Sequence, residues 1–322
     1  MKSPIFLFSL PRSGSTLLQR VLMSHKEIAS VAEPWLMLPF CYAFKKEGVL
    51  TEYAHNVSYK AFNDFINNLP NKDIDYYGAL RAFANVLYEK QCLNDEKFFL
   101  DKTPRYYNII PQISKAFPDA KFIFLFRNPV HVMSSIIETW GNGRLKEMYN
   151  YERDLNYGPQ ALTNGYKLLK HKSYALNYED YVKKPNMFNK GLCKYLNIDF
   201  DENMLSHFTN QNTKGRMGDS TGVKEYKNID IKSLEKWKNT FNTNYRKNYV
   251  KKYIKSIEES VLKDQGYSKE NILLNIENLE IENKKNMSDR FDLTYSNFVQ
   301  LLKPNIWFGN TKKDWAKNNF LS

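Results

Sequence analysis

The chain has 322 residues, of which 42% are hydrophobic and 15% aromatic, and it carries a formal net charge of +12 at pH 7. This length and apolar content predict one large globular domain or two small ones, and they exclude a disordered chain. The net charge favours anionic ligands, although a solvated surface rich in lysine would give the same total.

The cysteines and histidines form no metal-binding pattern. Cys41, Cys92 and Cys193 are far apart, and none belongs to a CxxC pair. We therefore expect a reducing compartment, with neither structural zinc nor disulfides. No apolar run reaches the roughly 18 residues that a membrane span needs. The apolar run over 4–10 ends at a Pro-Arg pair with no cleavage site after it, so it predicts a first strand and a cytoplasmic protein.

Predicted strands and helices alternate along the chain. Continuous apolar runs predict buried strands, and helical spacing of apolar residues predicts helices between them. Strands are expected over 4–10, 97–104, 121–129 and the first part of 173–185, and helices over 14–24, most of 35–95, "VHVMSSIIETW" and "NMFNKGLCKYLNI". This alternation predicts an α/β fold with a largely parallel central sheet and helices on both faces.

A change in composition follows Gly266. Residues 266–322 begin with a polar stretch of mixed charge and end with a tail that contains Trp307, Phe308 and Trp315. We expect residues 1–265 to form the main domain and 266–322 to be a C-terminal extension packed on it. A segment that binds a partner is the alternative for this tail.

The segment "PRSGST" follows the first predicted strand and opens a helix. A helix start presents unpaired N–H groups and the positive end of the helix dipole, which together favour an anion. Gly14 permits close approach of the backbone, Ser13, Ser15 and Thr16 add hydroxyl donors, and Arg12 adds a charged fork. The alternative is an ordinary helix start with an incidental arginine.

The same segment departs from the nucleotide phosphate loop GxxxxGK[ST]. Gly14 and Thr16 match that pattern, whereas Ser9 replaces the first glycine and Ser15 replaces the lysine. The missing lysine weakens the case for a kinase or an NTPase.

A second strand-to-helix segment, "FIFLFRNPVHVMSSII", repeats this arrangement. Arg127 follows the predicted strand, at the end where α/β sheets bind ligands, and Ser135 lies eight residues further on. A salt bridge at the sheet edge and a helix-surface hydroxyl are the alternatives for these two residues. Two basic loops at one sheet edge predict a ligand with two anionic groups.

Together, "PRSGSTLL" and "FRNPVHVMSS" resemble the family of sulfotransferases that use 3′-phosphoadenosine 5′-phosphosulfate (PAPS), including the bacterial, carbohydrate and tyrosylprotein types. The resemblance extends over roughly residues 4–240 and includes "DKTP", "NYEDYVKKP" and "MGDSTGVKEYKNIDIKSLEKW". It implies a P-loop-like three-layer α/β fold. It also implies PAPS as the sulfuryl donor, its bisphosphate (PAP) as product, and no metal.

The resemblance implies a role for each motif. Arg12 and residues 13–16 would hold the 5′-phosphosulfate, and Arg127 with Ser135 would hold the 3′-phosphate. Lys102, in "DKTP", would be a second cation that stabilises the charge developed during sulfuryl transfer, unless it is a surface lysine at a strand end.

A hydroxyl acceptor must lose its proton to a general base, and Glu33 in "VAEPW" is the predicted base. By resemblance, several sulfotransferases use a glutamate at this point of the chain. The alternatives for Glu33 are a helix cap or an ion pair with Arg12. His55 and His131 are the fallback bases, and His131 is better explained as shaping the loop after Arg127.

Two segments depart from the family pattern. Asn128 stands in the Arg-Asn-Pro turn where the family has aspartate, and it should preserve the turn because asparagine also favours turns. The glycine-rich nucleotide loop of cytosolic members is matched loosely by "TKGRMGDS". Ser220, Lys227 and Tyr178 are further candidates for the donor site, and Tyr178 is equally well explained as a tyrosine of the sheet core.

These patterns predict a PAPS-dependent sulfotransferase whose acceptor is a hydroxyl of a carbohydrate, a glycolipid or a small metabolite. The stretch 35–95 is expected to build much of the acceptor site, with Trp35, Tyr42, Tyr76 and Tyr77 as aromatic candidates. A lipid acceptor would permit peripheral membrane contact. Two alternatives are a kinase or NTPase of the same superfold and a non-enzymatic protein that binds nucleotides or nucleic acid, although no nucleic-acid-binding pattern supports the latter.

Overall fold

A five-stranded parallel sheet forms the centre of the computed structural model, which describes residues 3–49, 51, 53–211, 215, 229–282 and 287–302. The strands are β1 (Ile5–Ser9), β2 (Ile28–Ser30), β3 (Phe98–Asp101), β4 (Lys121–Phe126) and β5 (Ser173–Asn177). Their order across the sheet is β2-β3-β1-β4-β5, and every neighbouring pair is parallel. The predicted α/β class and the four predicted strands are confirmed.

The strand β2 was not predicted. It is only three residues long, pairs with β3 alone, and forms one edge of the sheet. A three-residue strand carries too little alternation to distinguish it from a loop. It is nevertheless the strand that leads into "VAEPW".

Helices flank the sheet. Their bounds are α1 (Ser15–Leu22), α2 (Met37–Tyr42), α3 (His55–Asn67), α4 (Asp73–Glu89), α5 (Ile110–Ala116), α6 (Pro129–Thr139), α7 (Gly158–Leu169), α8 (Tyr178–Lys183), α9 (Pro185–Leu196), α10 (Met204–His207), α11 (Lys236–Thr240), α12 (Asn244–Ser256), α13 (Glu259–Asp264), α14 (Lys269–Glu277) and α15 (Met287–Leu302). Short 3₁₀ turns and one π turn join several of them.

Alternate residues of each central strand enter opposite apolar layers, because successive side chains of a strand point to opposite faces. Phe6 and Phe8 of β1 pack with helices α4, α5 and α7. Ile5 and Leu7 pack on the other face with α1 and α9. The result is the predicted three-layer arrangement of helices, sheet and helices.

A third apolar cluster lies beside the sheet and includes the chain beyond residue 265. Ile136 of α6, Ile254 of α12 and Ile276 of α14 are buried together in it. The proposed boundary at residue 265 stays a prediction, and Trp307, Phe308 and Trp315 lie outside the described residues. Among the helices that the structure describes, none is long and apolar enough to cross a membrane.

Candidate functional site

The predicted site residues that the structure describes meet at the carboxyl ends of the strands. Because the strands are parallel, their carboxyl ends face the same side, and the loops after them converge there. The loop after β1 carries Arg12 to Thr16, the loop after β2 carries Glu33, β3 is followed by Lys102, and β4 by Arg127. The edge strand β2, which the sequence did not predict, therefore places Glu33, the predicted base, at this end of the sheet.

The loop after β1 turns sharply before α1 begins. Arg12 and Gly14 both have left-handed backbone angles, with φ of 63° and 86°. Ser13, Ser15 and Thr16 are buried within this turn. No side chain of the described residues caps the start of α1, and the N–H groups of such a helix start favour an anion.

The Tyr178 ring packs against both basic loops. A Cβ on Gly14 would lie 2.3 Å from its ring, and the Arg127 guanidinium stacks with its Cζ 4.4 Å from the ring centroid. The ring is buried, and its hydroxyl shares a 3.1 Å hydrogen bond with Ser233. Tyr178 is thus a core tyrosine that also shapes the predicted donor site.

The two basic loops are in direct contact. Arg12 donates from Nε to Ser135 (3.1 Å) and from Nη2 to Thr139 (3.0 Å), while Arg127 donates from Nη1 to the main-chain oxygen of Arg12 (2.7 Å). The buried Nε of Arg127 has no hydrogen-bond partner among the described residues. The resemblance assigned Arg12 and Ser135 to two different anionic groups of one donor, and in the structure these two side chains are in direct contact. Sequence reasoning missed Thr139, one helical turn beyond Ser135.

Glu33 and Lys102 form a buried ion pair next to this loop. The Lys102 ammonium lies 2.9 Å from Oε1 of Glu33 and 3.4 Å from the Thr16 hydroxyl. Only 1% of the Lys102 side chain and 11% of the Glu33 side chain are exposed. Lys102 is therefore not a surface lysine, and it is Lys102 rather than Arg12 that pairs with Glu33.

A hydrogen-bonded segment holds Glu33 in place. The Trp35 indole donates to Oε2 of Glu33 at 3.2 Å, and the Trp35 backbone has a left-handed φ of 55°. The Trp35 main-chain N–H donates to the Thr103 hydroxyl at 3.2 Å, and that of Met37 donates to the Tyr106 hydroxyl at 3.1 Å. Both carboxylate oxygens of Glu33 are thus fixed by neighbours.

Asp101 supports these contacts through buried hydrogen bonds. It is fully buried and accepts hydrogen bonds from Tyr88 (2.6 Å), Tyr106 (3.0 Å) and Thr103 (3.3 Å). Burial raises the Asp101 pKa to about 6, although these hydrogen bonds and Lys102 act in the opposite direction. The two residues that flank Lys102 in "DKTP" therefore support Glu33, a role that sequence reasoning missed.

The two fallback histidines have other partners. His55 binds the main-chain oxygen of Lys45 through Nε2 at 2.7 Å. His131 contacts Glu179 at 2.8 Å, and Glu179 also accepts from the main-chain N–H of Asn128. Burial would raise the Glu179 pKa, but the hydrogen bond and charge of His131 lower it overall. These contacts give His131 the loop-shaping role.

The turn after Arg127 has the expected form. Asn128 caps helix α6 through a side-chain oxygen that accepts from the N–H of Val130 at 3.0 Å, so the prediction that asparagine preserves this turn is confirmed. Ser220 and Lys227 lie outside the described residues. Within the described ranges, no group of three or more histidine, cysteine or acidic side chains is arranged to hold a metal ion.

A cavity of about 680 Å³ opens beside Trp35. Trp35, whose indole contacts Glu33, forms part of its wall, together with Tyr42 of the predicted acceptor stretch. Tyr76 and Tyr77 do not line it and instead pack edge-on or stacked against Phe44. Two of the four aromatic candidates are thus at the cavity.

Sequence comparisons relate this chain to proteins of known class. The chain is 33% identical over 137 residues to nodulation protein NoeE of Sinorhizobium fredii, covering 42% of this chain and 31% of that protein. It is 23% identical over 243 residues to protein-tyrosine sulfotransferase 1 of Danio rerio, covering 72% of this chain and 65% of that protein. The chain thus spans less than two thirds of the length of each relative.

The fold and the family model agree. The structure is similar to the sulfotransferase domain from the curacin biosynthetic pathway, with a TM-score of 0.51 and 23% identity, covering 74% of this chain and 91% of that domain. The sequence model of the sulfotransferase family matches residues 4–202, which is more than half of the chain. With its glycine loop, Arg127–Ser135 segment and parallel sheet in the expected places, the chain belongs to the sulfotransferase family.

Proposed function

We propose that this protein is an enzyme that transfers the sulfuryl group of PAPS to an acceptor hydroxyl. The observation that carries the proposal is the contact of Glu33, Lys102 and Thr16 at the start of α1, on the ligand-binding edge of the sheet. This contact joins a carboxylate, an ammonium and a hydroxyl next to the N–H groups of a helix start. These are the groups that deprotonation of a hydroxyl and charge stabilisation require.

The residues at the two basic loops fit a donor with two anionic ends. The buried Nε of Arg127, which lacks a partner among the described residues, supports an anion between Arg127 and Ser135. The turn at Gly14 and the N–H groups at the start of α1 support a second anion at the loop. Arg12 reaches both ends, because its backbone belongs to the loop and its guanidinium contacts Ser135.

Bound PAPS would supply the sulfuryl group: as the bond from the acceptor oxygen to sulfur forms, the bond from sulfur to the bridging phosphate oxygen breaks and leaves its electron pair on that phosphate. Glu33 receives the proton of the acceptor hydroxyl. Lys102 and Arg12 stabilise the negative charge that develops on the transferred group and the leaving oxygen. Trp35 keeps the Glu33 carboxylate oriented.

The cavity beside Trp35 is the proposed acceptor site. Its aromatic wall, including Trp35 and Tyr42, suits the flat face of a sugar ring or of a small apolar metabolite. A carbohydrate, glycolipid or small-metabolite hydroxyl is the acceptor that we propose, and a glycolipid would bring peripheral contact with a membrane. We also propose a cytoplasmic location and no nucleic-acid partner.

The family match favours sulfuryl transfer over a kinase or NTPase activity. The lysine that such an activity needs in the loop is replaced by Ser15. The family match likewise favours an enzyme over a non-enzymatic nucleic-acid-binding protein.

Calorimetry with PAP, followed by turnover of labelled PAPS against an acceptor screen, tests the proposal. PAP should bind the wild-type protein, and the Arg127→Ala/Ser135→Ala variant should lose most of that affinity. Ser114→Ala on α5, whose hydroxyl contacts only a nearby main-chain oxygen, is the matched control. Absence of PAP binding, or binding unchanged in the double variant, would overturn the assignment.

Glu33→Gln tests the base separately. It keeps the shape of the side chain and should keep PAP affinity, while turnover falls by about 10²-fold or more. Turnover near the wild-type rate would show that another group accepts the proton.

A further inference from the structure

We propose that the acceptor carries an anionic group, and that Arg153 binds this group in the cavity beside Trp35. The inference rests on the proposed sulfotransferase function and specifies the acceptor class for that same site. The class is a hydroxyl compound in which a carboxylate or another anion accompanies a flat ring.

Two arginines line this cavity, and their charges are balanced differently. Arg105 forms a forked ion pair with Asp154, with N–O distances of 2.9 and 3.3 Å, and the Tyr107 hydroxyl donates to the same carboxylate at 2.6 Å. Arg153 instead donates from Nε and Nη2 to the neutral side-chain oxygen of Asn108, at 3.2 and 2.8 Å. Among the described residues, no carboxylate lies within ion-pair distance of Arg153.

A further cation lies close to Arg153. The Lys45 ammonium sits over the ring of Tyr42, which lines the cavity, 4.7 Å from the ring centroid. Burial lowers the Lys45 pKa, and the positive charge of Arg153 lowers it further. An anion bound on this side of the cavity would act against the effect of Arg153 and favour the charged form of Lys45.

Arg153 is also held in a fixed position. Its guanidinium stacks on the Tyr157 ring with Cζ 5.1 Å from the centroid, and Asn108 fixes one edge of the fork. A guanidinium that is already ordered loses less entropy when it binds a carboxylate, so its binding free energy is more favourable.

The remaining residues of the cavity wall favour an acceptor with a flat ring. Trp35, Tyr42, Phe62 and Tyr151 present aromatic surface to the cavity. Because Trp35 both lines the cavity and donates to Glu33, an acceptor packed on it has its hydroxyl near the base and its anion on the arginine side.

Matched pairs of acceptors test the proposal without any mutation. The pairs are 4-nitrophenyl β-D-glucuronide with the corresponding β-D-glucoside, and 4-hydroxyphenylacetate with 4-hydroxyphenylacetamide. Equilibrium binding of each compound to PAP-loaded protein, and KM with labelled PAPS, are measured. The anionic member of at least one pair should bind about tenfold more tightly, as one charge-assisted hydrogen bond would give. The advantage should shrink in high salt.

In the Arg153→Gln variant, the anionic and the neutral member of each pair should bind about equally, while the affinity for PAP stays unchanged. Arg81→Gln, an exposed arginine on α4 away from the cavity, is the control and should keep the preference. If Arg153→Gln does not fold, the matched pairs with wild-type protein still decide the question. Equal or weaker binding of both anionic compounds to PAP-loaded protein would overturn this inference alone. Failure of PAP itself to bind would instead overturn the proposed function.

Discussion

At the residue scale, Gly14 shows how one missing side chain shapes the donor site. Its φ of 86° is a conformation that costs other L-residues about 1–2 kcal/mol. A Cβ at this position would also lie 2.3 Å from the Tyr178 ring, on whose plane Arg127 stacks. The glycine is therefore required both by the turn and by the close approach of the tyrosine.

Gly14→Ala should destabilise the protein by about 2 kcal/mol or more and weaken PAP binding by at least tenfold, because Tyr178 and Arg127 must shift together. Urea unfolding and calorimetry measure the two effects. Gly78→Ala is the control: Gly78 lies within α4, and an alanine Cβ there would meet no atom within 4 Å, so alanine should stabilise the helix by roughly 0.5–1 kcal/mol. A Gly14→Ala protein with unchanged PAP affinity would contradict the role given to this turn.

At the same scale, the sequence predicted which side chains lie together at the carboxyl ends of the strands better than it predicted their partners. Glu33, Lys102 and Arg127 were identified from motifs of a few residues. Their actual contacts join residues that are far apart in the chain: Glu33 and Lys102 are separated by 69 positions, and Arg127 and Arg12 by 115. Local patterns of polarity carry no information on such contacts, which depend on the order of strands in the sheet.

At the scale of elements, β3 and the turn after it support the segment that carries Glu33, the proposed base. Asp101 at the end of β3 binds the hydroxyls of Thr103 and Tyr106, and these accept the N–H groups of Trp35 and Met37. One buried carboxylate thereby holds two points of the chain just after Glu33. The sheet and Glu33 are connected through this network as well as through the backbone of β2.

Asp101→Asn tests this network through the pH dependence of stability. Burial raises the Asp101 pKa from 3.8 to about 6, so the native state binds this proton more tightly than the unfolded chain. Asp101 therefore contributes fully to the free energy of unfolding below about pH 4, and this contribution is lost as the pH rises to about 6. The loss is roughly 1.4 kcal/mol for each unit of difference between the native and unfolded pKa values. In urea unfolding between pH 4 and pH 7, the Asp101→Asn variant should lack this pH-dependent part of the unfolding free energy. Its turnover should also fall more than its affinity for PAP.

Asp119→Asn, at an exposed carboxylate, is the control for this titration. It should leave the pH dependence of unfolding close to that of the wild type. If Asp101→Asn also follows the wild-type curve, Asp101 is not the titrating group. Unchanged turnover would show that the network does not position Glu33.

The prediction of elements from the sequence succeeded where runs were long and apolar. The central strands β1 and β4 are buried on both faces, so their apolar runs were unmistakable. The edge strand β2 is too short to show a pattern, and only its pairing with β3 makes it a strand. Glu33, the proposed base, therefore follows a strand that the sequence did not predict.

At the scale of the whole molecule, the last described helix is tied to the donor side of the site. Arg246 of α12 forms a forked ion pair with Asp289 of α15, with both N–O distances at 2.8 Å, and donates to the main-chain oxygen of Gly143. Gly143 follows helix α6, which carries Ser135. The chain beyond residue 265 thus connects, through α12, to the helix that Arg12 contacts.

Asp289→Ala should cost about 3 kcal/mol of unfolding free energy. The Asp289 side chain is 9% exposed and that of Arg246 is 16% exposed, so the variant leaves a largely buried guanidinium without its carboxylate. Asp73→Ala is the matched control, because its pair with Lys115 is 46% and 59% exposed and should be worth less than about 1 kcal/mol. Chemical unfolding of both variants measures the difference. Equal and small losses would mean that other contacts of α15, such as its apolar residues and the Arg144–Asp292 ion pair, dock this helix. A large loss only for Asp289→Ala would establish that the ion pair connects this helix to the body of the fold.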